Sequence, residues 1–183
     1  MTARFDRGRA SPVYTGRMKR RATLAILTAL ALSACGAAPR KSQVKAAPAF
    51  DLADLNGGRA TLDSFKGKVV ILDFWATWCG PCIHEIPEYA EFWRKNQPRG
   101  VEVVGVVMDS GSPNEINDFV RENRIPYRQL LGDDNTAEKF GVNQGYPTTI
   151  IIDRQGMIRK TILGSPPTKF ETLQQLADAA LSS

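Results

Sequence analysis

One segment sets the architecture of the chain: VVILDFWA (69–76), then TWCGPC (77–82), then IHEIP (83–87). The first part is a continuous run of strand-forming residues, and the last begins a stretch with apolar residues at helical spacing. Two cysteines, Cys79 and Cys82, stand at the junction with two residues between them. At a helix start this spacing can bring the sulfurs within bonding reach, as a reversible disulfide requires. The segment therefore predicts a strand, a redox-active pair and a helix, in that order.

The predicted helix start favours a reactive thiolate at Cys79. A helix N-terminus presents unpaired N–H groups and a partial positive charge, and both stabilise an anion. Because the thiolate rather than the thiol attacks disulfides, we predict that Cys79 attacks and Cys82 resolves. Pro81 suits the first turn, where a missing N–H has no consequence, and Gly80 adds little bulk beside the Cys79 sulfur.

Two other roles are available to such a pair. It can be half of a zinc site, but structural zinc needs about four ligands, and the chain adds only His84 and Cys35 to the possible histidine and cysteine ligands. A purely structural disulfide more often closes a long loop, where cross-linking gains more entropy. The pattern therefore favours redox chemistry and predicts no metal site.

The same residues resemble the thioredoxin superfamily. The run DFWATWCGPC (73–82), followed by Pro87, is similar to thioredoxin itself. Asp73 matches the buried acid of thioredoxins, whereas Glu85 resembles the acid found after the second cysteine in TlpA/ResA-type membrane-tethered thiol–disulfide oxidoreductases. The resemblance covers about 47–181 and implies an α/β thioredoxin fold, with a central mixed β-sheet flanked by helices.

Both acids are candidates for the proton acceptor of Cys82. An isolated carboxylate in an apolar strand tends to raise its pKa and become neutral, which suits Asp73 to that role. Glu85 lies one helical turn past Cys82 and could serve the same purpose, although a solvated helix residue is the alternative. The presence of both acids leaves their division of labour open.

A second part of the predicted site comes from Tyr146-Pro147, at the start of a later strand. Proline is acceptable at a strand start because it donates no ladder bond. The thioredoxin resemblance implies instead a cis proline facing the cysteines, with the Tyr146 backbone able to pair with an extended client segment. Trp78 is predicted to be an apolar contact surface beside the pair.

The rest of the domain predicts alternating strands and helices. Asn56-Gly57-Gly58 between apolar segments indicates a β-hairpin before the redox strand, which the TlpA/ResA resemblance also implies. The alternation of strand and helix over 69–123 is typical of a parallel sheet. Residues 109–140 (helix, short strand, helix) form an insertion relative to a minimal thioredoxin, and 148–163 indicate an antiparallel hairpin.

The basic charge of the chain is confined to its first residues. The net charge is +5, yet residues 1–34 contain seven basic residues and one acid, so the remainder is close to neutral. This distribution argues against a nucleic-acid partner. The apolar stretch 22–34 is 13 residues long, short of the ~20 needed to span a bilayer. It ends in Leu32-Ser33-Ala34-Cys35, which resembles the lipobox of bacterial lipoproteins.

These features predict three parts of the chain. An export signal covers 1–34, with Met18 as an alternative start, and a flexible tether covers 35–48 from a lipidated Cys35. A single thioredoxin-like domain follows over 49–183. Lipidation of Cys35 would leave Cys79 and Cys82 as the only cysteines able to form a disulfide.

Together the features predict an extracytoplasmic, membrane-anchored thiol–disulfide reductase that needs no cofactor. The resemblance implies disulfide-bearing clients, such as apocytochrome c or oxidised metallochaperones, and recharging by a membrane electron donor of the DsbD/CcdA kind. One alternative is a peroxiredoxin-like thiol peroxidase, although Thr77 lies only two residues before Cys79 with no proline in the register of that motif. The other is a copper chaperone that uses the pair as soft ligands.

Overall fold

The structure, a computed structural model, describes residues 45–182. The predicted strands and helices of the domain are present. In chain order the elements are β1 (Lys45–Ala46), β2 (Asp51–Asp54), β3 (Arg59–Thr61), β4 (Val69–Trp75), α1 (Gly80–Asn96), β5 (Val101–Val107), α2 (Pro113–Glu122), β6 (Arg128–Leu131), α3 (Asp134–Phe140), β7 (Thr148–Ile152), β8 (Met157–Leu163) and α4 (Lys169–Leu181).

The described strands form one mixed sheet in the order β1-β8-β7-β4-β5-β6-β2-β3. The β4–β5 and β5–β6 pairs are parallel, and the other neighbours are antiparallel. β4 lies between β5 and β7, and all of its residues are buried, which accounts for its unbroken apolar run. The cysteines therefore follow the carboxyl end of the central strand.

The N-terminal hairpin and the insertion over 109–140 extend the same edge of the sheet. β2 and β3 pair around Gly57 and Gly58, which both have positive φ, as the sequence predicts. β2 also pairs with β6, the strand of the insertion, with Ala53 opposite Leu131. The two features that set this chain apart from a minimal thioredoxin are therefore one structural unit.

The other edge of the sheet begins earlier than the sequence suggests. β1 pairs with β8, and the Ala47 N–H donates to the Gly156 carbonyl over 2.8 Å. The last residues of the predicted tether therefore belong to the sheet, held by backbone pairing that a segment poor in large apolar residues does not signal. The predicted export signal and Cys35 lie outside the described residues. Within 45–182, no helix combines the length and apolarity needed to cross a bilayer.

The sheet buries both of its faces. Successive residues of a strand point to opposite faces, so Ile71 and Trp75 of β4 lie on one and Leu72 and Phe74 on the other. The face of Ile71 packs against α1, α4 and part of α2, and it includes both cysteines; we call it the redox face. The opposite face packs against α3 and the segment around the N-terminal hairpin; we call it the apolar face.

Candidate active site

Cys79 and Cys82 form a disulfide at the start of α1, with their Cα atoms 5.3 Å apart. Cys79 is the N-cap residue of the helix, and the Cys82 backbone N–H donates to its Sγ over 3.3 Å. On reduction the same N–H is placed to stabilise a Cys79 thiolate. Pro81 lies in the first turn, and the space where a Gly80 side chain would stand is open. The local geometry is that of a reversible cysteine pair, with Cys79 5% and Cys82 3% exposed in the disulfide form.

Trp78 and Tyr146 form a rim beside the disulfide. Trp78 is 63% exposed, and its ring centroid lies 6.0 Å from that of Tyr146. The Tyr146–Pro147 peptide bond is cis, as expected. An apolar platform of this kind, next to a reactive sulfur, offers contact area to a client without a deep pocket.

Asp109 holds this rim together, although it was not among the site residues predicted from the sequence. Its carbonyl accepts the Trp78 indole N–H at 2.8 Å, and its carboxylate accepts the Tyr146 hydroxyl at 3.5 Å. Partial burial raises the pKa of Tyr146 most, and the negative charge of Asp109 raises it further. The available signal is positional: Asp109 closely follows β5, and the carboxyl ends of parallel strands such as β4 and β5 meet at one edge of the sheet.

Asp73 lies in β4 on the redox face and is 3% exposed. Its Oδ1 accepts hydrogen bonds from the Tyr89 hydroxyl at 3.0 Å and the Thr149 hydroxyl at 3.1 Å. Burial raises the pKa of Asp73 from 3.8 to about 7, while the positive charge of Lys169 opposes the shift. A carboxyl group with such a pKa can both accept and release a proton near neutral pH.

Glu85 is buried rather than solvated, so the alternative interpretation of this residue is wrong. It is 6% exposed, and its Oε2 lies 2.6 Å from the Lys169 Nζ. Lys169, the first residue of α4, is itself only 1% exposed. No local pattern indicates this partner, because a lysine at a helix start usually faces solvent.

A cleft of about 420 Å³ opens next to the start of α1. It gives solvent and small molecules a route to the side of the site that carries Glu85. Its lining comes from α1 and from the segment that leads into α4, namely Gly80, Pro81, His84, Glu85, Glu88, Ser165, Pro166, Pro167 and Phe170.

A buried polar contact supports the strand end beneath the site. The Trp75 indole N–H donates to Gln129 Oε1 at 3.0 Å, and both residues are 2% exposed. A side chain at Gly105 would occupy the space of the Gln129 amide. Trp75 belongs to the thioredoxin-like run, but Gln129 did not stand out in the sequence, because the contact joins positions 54 residues apart.

Metal ligation has no evident place in the described part of the chain. Within 45–182, no group of three or more histidine, cysteine, aspartate or glutamate side chains is arranged to hold a metal ion. The described disulfide already links Cys79 to Cys82.

Comparisons with known proteins agree with this geometry. The AhpC/TSA family model matches residues 44–161. The thiol–disulfide oxidoreductase ResA of Geobacillus thermodenitrificans is 35% identical over 132 residues, which are 71% of this chain and 74% of that protein. A Chlorobium tepidum structure assigned as the thiol:disulfide interchange protein DsbE has a TM-score of 0.69 at 32% identity, covering 75% of this chain and 96% of that one.

A second solved structure extends the likeness. The secreted thiol–disulfide isomerase of Corynebacterium glutamicum has a TM-score of 0.67 at 26% identity and covers 74% of this chain and 85% of that one. These similarities confirm the predicted thioredoxin fold and the predicted kinship with ResA. The chain thus belongs to the AhpC/TSA family of thioredoxin-like proteins, and it is a thiol–disulfide oxidoreductase homologous to ResA.

Proposed function

We propose that this oxidoreductase works outside the cytoplasm as a lipid-anchored reductase of client disulfides. The observation that carries the proposal is the position of Cys79, whose Sγ caps α1 and accepts the Cys82 N–H. A thiolate stabilised in this way attacks a client disulfide and forms a mixed disulfide. Cys82 then attacks Cys79, the Cys79–Cys82 disulfide forms, and the client leaves with its sulfurs reduced.

The direction of electron flow is supported by the site and tested by the reduction potential. The Gly80-Pro81 pair is that of thioredoxin, and Asp73 behind it suits a couple that donates electrons. We expect a low potential and mostly reduced cysteines in cells with an intact membrane donor of the DsbD/CcdA kind. Alkylation trapping measures the second quantity, and equilibration with glutathione or dithiothreitol measures the first. A persistently oxidised pair with a potential near that of disulfide-forming oxidases contradicts the reductase role.

The proposed location rests on the sequence before the domain. A basic start, the apolar stretch 22–34 and the lipobox-like Leu32-Ser33-Ala34-Cys35 support export and lipidation, and the related Corynebacterium glutamicum protein is secreted. We expect mature protein from membranes to begin at a diacylated Cys35, which intact mass would show. Two acyl chains anchor a protein stably, so Cys35→Ser is expected to release the chain or leave its signal uncleaved. An unmodified chain beginning elsewhere contradicts the anchor but leaves the redox chemistry intact.

Client proteins can be captured through the mixed disulfide. Cys82→Ser lacks the resolving thiol, so disulfide-linked clients are expected to accumulate on Cys79 and to be identified by mass spectrometry. The proposed clients are apocytochrome c with an oxidised haem-attachment pair and oxidised metallochaperones. The double variant Cys79→Ser/Cys82→Ser is the matched control, because it lacks the attacking sulfur and is expected to keep the fold.

A thiol peroxidase is the enzyme activity to test against this proposal. In this chain the Thr77 backbone N–H donates to the Ser110 hydroxyl at 2.9 Å, and the threonine stands outside the register of the peroxiredoxin motif. We expect pure reduced protein to consume hydrogen peroxide much more slowly than it reduces a client disulfide. The opposite order of rates would make the peroxidase the better description.

A further inference from the structure

Lys169 is a buried cation of the redox face, 1% exposed. Its Nζ lies 2.6 Å from Glu85 Oε2 and 5.1 Å from the centre of the Tyr89 ring. An ammonium group in the protein interior is costly unless it is paired, and breaking such a pair is strongly destabilising. The carboxylate and the ring face together hold the ammonium in one place.

Tyr89 connects this ion pair to Asp73. The face of its ring contacts Lys169, and its hydroxyl donates to Asp73 Oδ1 at 3.0 Å. Cys82 lies on the same helix as Tyr89, seven residues earlier, which is about two turns. The resolving cysteine, Tyr89 and Glu85 therefore belong to α1, and Asp73 of β4 is hydrogen-bonded to Tyr89.

The charges around Asp73 act in opposite directions. Burial raises its pKa most strongly; the positive charge of Lys169 lowers it, and the negative charge of Glu85 raises it. Burial, together with nearby Asp73, also raises the pKa of Tyr89 and of Tyr127 well above 10.0, so both phenols stay neutral near pH 7. The Thr149 hydroxyl completes the polar surroundings as a hydrogen-bond donor. This buried cluster thus holds two acids and one cation, and the cation is paired with Glu85.

We propose that Lys169 is a positioning residue of the redox reaction: its ion pair occupies the carboxylate of Glu85, so that Asp73 alone exchanges the proton of Cys82. The inference deepens the proposed function and depends on it only for the direction of electron flow. It assigns the two acids, which the sequence left equivalent, to different roles.

The resolving step then balances as follows for the mixed disulfide between Cys79 and a partner. The Cys82 thiol transfers its proton to the Asp73 carboxylate, and the Cys82 thiolate attacks the Cys79 Sγ. The Cys79–Cys82 bond forms as the bond from Cys79 to the partner breaks. The partner sulfur leaves as a thiolate and takes a proton from solvent, and Asp73 later releases its proton to solvent. Over attack and resolution together, two electrons pass from the dithiol to the partner disulfide.

The reaction of the reduced protein with Ellman's reagent separates the two steps. Attack by Cys79 releases a first thionitrobenzoate, and resolution by Cys82 releases a second, so the slower phase reports the proton transfer. With the wild-type protein we expect the rate of this phase to rise with pH through a single inflection near the Asp73 pKa of about 7. Asp73→Asn is expected to remove that inflection.

Substitutions in the ion pair are expected to move the inflection in opposite directions. Glu85→Gln leaves Lys169 positive and unpaired beside Asp73, so the inflection moves to lower pH by roughly one unit. Lys169→Met removes the positive charge and leaves two buried acids that compete for protons. The inflection is therefore expected to move to higher pH and to broaden. At a fixed pH below the inflection, moving the inflection up by one pH unit lowers the rate about tenfold.

Two further variants separate positioning from folding. Lys169→Arg keeps the charge and is expected to restore the wild-type profile, and Glu85→Gln/Lys169→Met, with a neutral pair, is expected to lie between the two single variants. If Lys169→Met does not fold, the pH profiles of Glu85→Gln and Asp73→Asn are compared, and the proposal requires a shifted inflection in the first and none in the second. Loss of the inflection in Glu85→Gln, or a Lys169→Met profile equal to that of the wild type, overturns the proposal. Because the reagent is no natural client, neither result depends on whether the protein is a reductase in cells.

Discussion

The redox face and the apolar face share the strand β4 but contain different kinds of side chain. The apolar face has a cluster of phenyl rings, in which the Phe140 centroid lies 5.7 Å from that of Phe74 and 6.2 Å from that of Phe50. The redox face places Asp73, Glu85 and Lys169 among its apolar residues. Burying apolar area stabilises a fold, whereas burying charge generally does not. The comparison indicates that one face supplies stability and the other uses part of it for reactivity.

The largest expected effect is on the redox face, where the two cysteines are not equivalent. Cys79→Ser removes the attacking sulfur and is expected to abolish disulfide reduction. Cys82→Ser keeps the attack but stops turnover after one mixed disulfide, because nothing resolves it. Intact mass after reaction with a peptide disulfide measures the adduct. Adducts on Cys79→Ser, and not on Cys82→Ser, would reverse the assignment.

On the apolar face a large effect on stability is expected with little effect on chemistry. Phe140→Ala removes a buried ring and is expected to lower the free energy of unfolding by about 3–5 kcal/mol. Its rate with a peptide disulfide, per folded molecule, is expected to stay at the wild-type value. Urea unfolding and a rate assay measure the two quantities, and Phe140→Leu is the matched control with a loss below about 1.5 kcal/mol. A rate that falls with the stability would show that the faces are coupled.

The stability of the oxidised protein is expected to fall as the pH rises from about 4 to above 7. The pKa of Asp73 is about 7 in the folded protein against an ordinary 3.8, so in this window the folded state binds more protons than the unfolded state. The contribution of Asp73 to stability is therefore fully present below pH 3.8 and is lost as the pH rises through 7. The size of the pKa shift makes this contribution roughly 4 kcal/mol. Urea unfolding across this range measures the slope.

Asp73→Asn is expected to flatten this pH dependence and to stabilise the protein above neutral pH. Asp118→Asn is the matched control, because Asp118 is an exposed partner of Arg121 on α2. A slope that persists in Asp73→Asn assigns the titration to another group.

The smallest expected effect is at the exposed rim. Trp78→Ala removes a side chain that is 63% exposed, so the free energy of unfolding is expected to change by only about 0.5 kcal/mol. Reduction of a protein disulfide is expected to slow by roughly tenfold through weaker binding, as for aromatic contact residues. Trp78→Phe is expected to keep most of the rate. If Trp78→Ala reacts with Ellman's reagent at the wild-type rate but reduces a protein disulfide more slowly than the wild type, the loss lies in contact with the client.

Much of the domain was predictable because its signals are local. The apolar run of β4, the positive-φ glycines of the hairpin and the periodicity of the helices each occupy a short stretch of chain. The cysteine pair is equally local, since its spacing and the following helix place both sulfurs in one turn. The cis Pro147 and the kinship with ResA followed from resemblance to known sequences.

The sequence by itself determined the strand–cysteine–helix core of this oxidoreductase and the presence of two acids near it. Only the tertiary structure decided the surroundings of those acids, because the groups that contact them come from distant parts of the chain. Lys169 reaches Glu85 across 84 residues, and Thr149 reaches Asp73 across 76. The charge state of a buried acid depends on desolvation and on its nearest cation. Both are set when α4 packs against the redox face and β7 pairs with β4, and no local pattern records that packing.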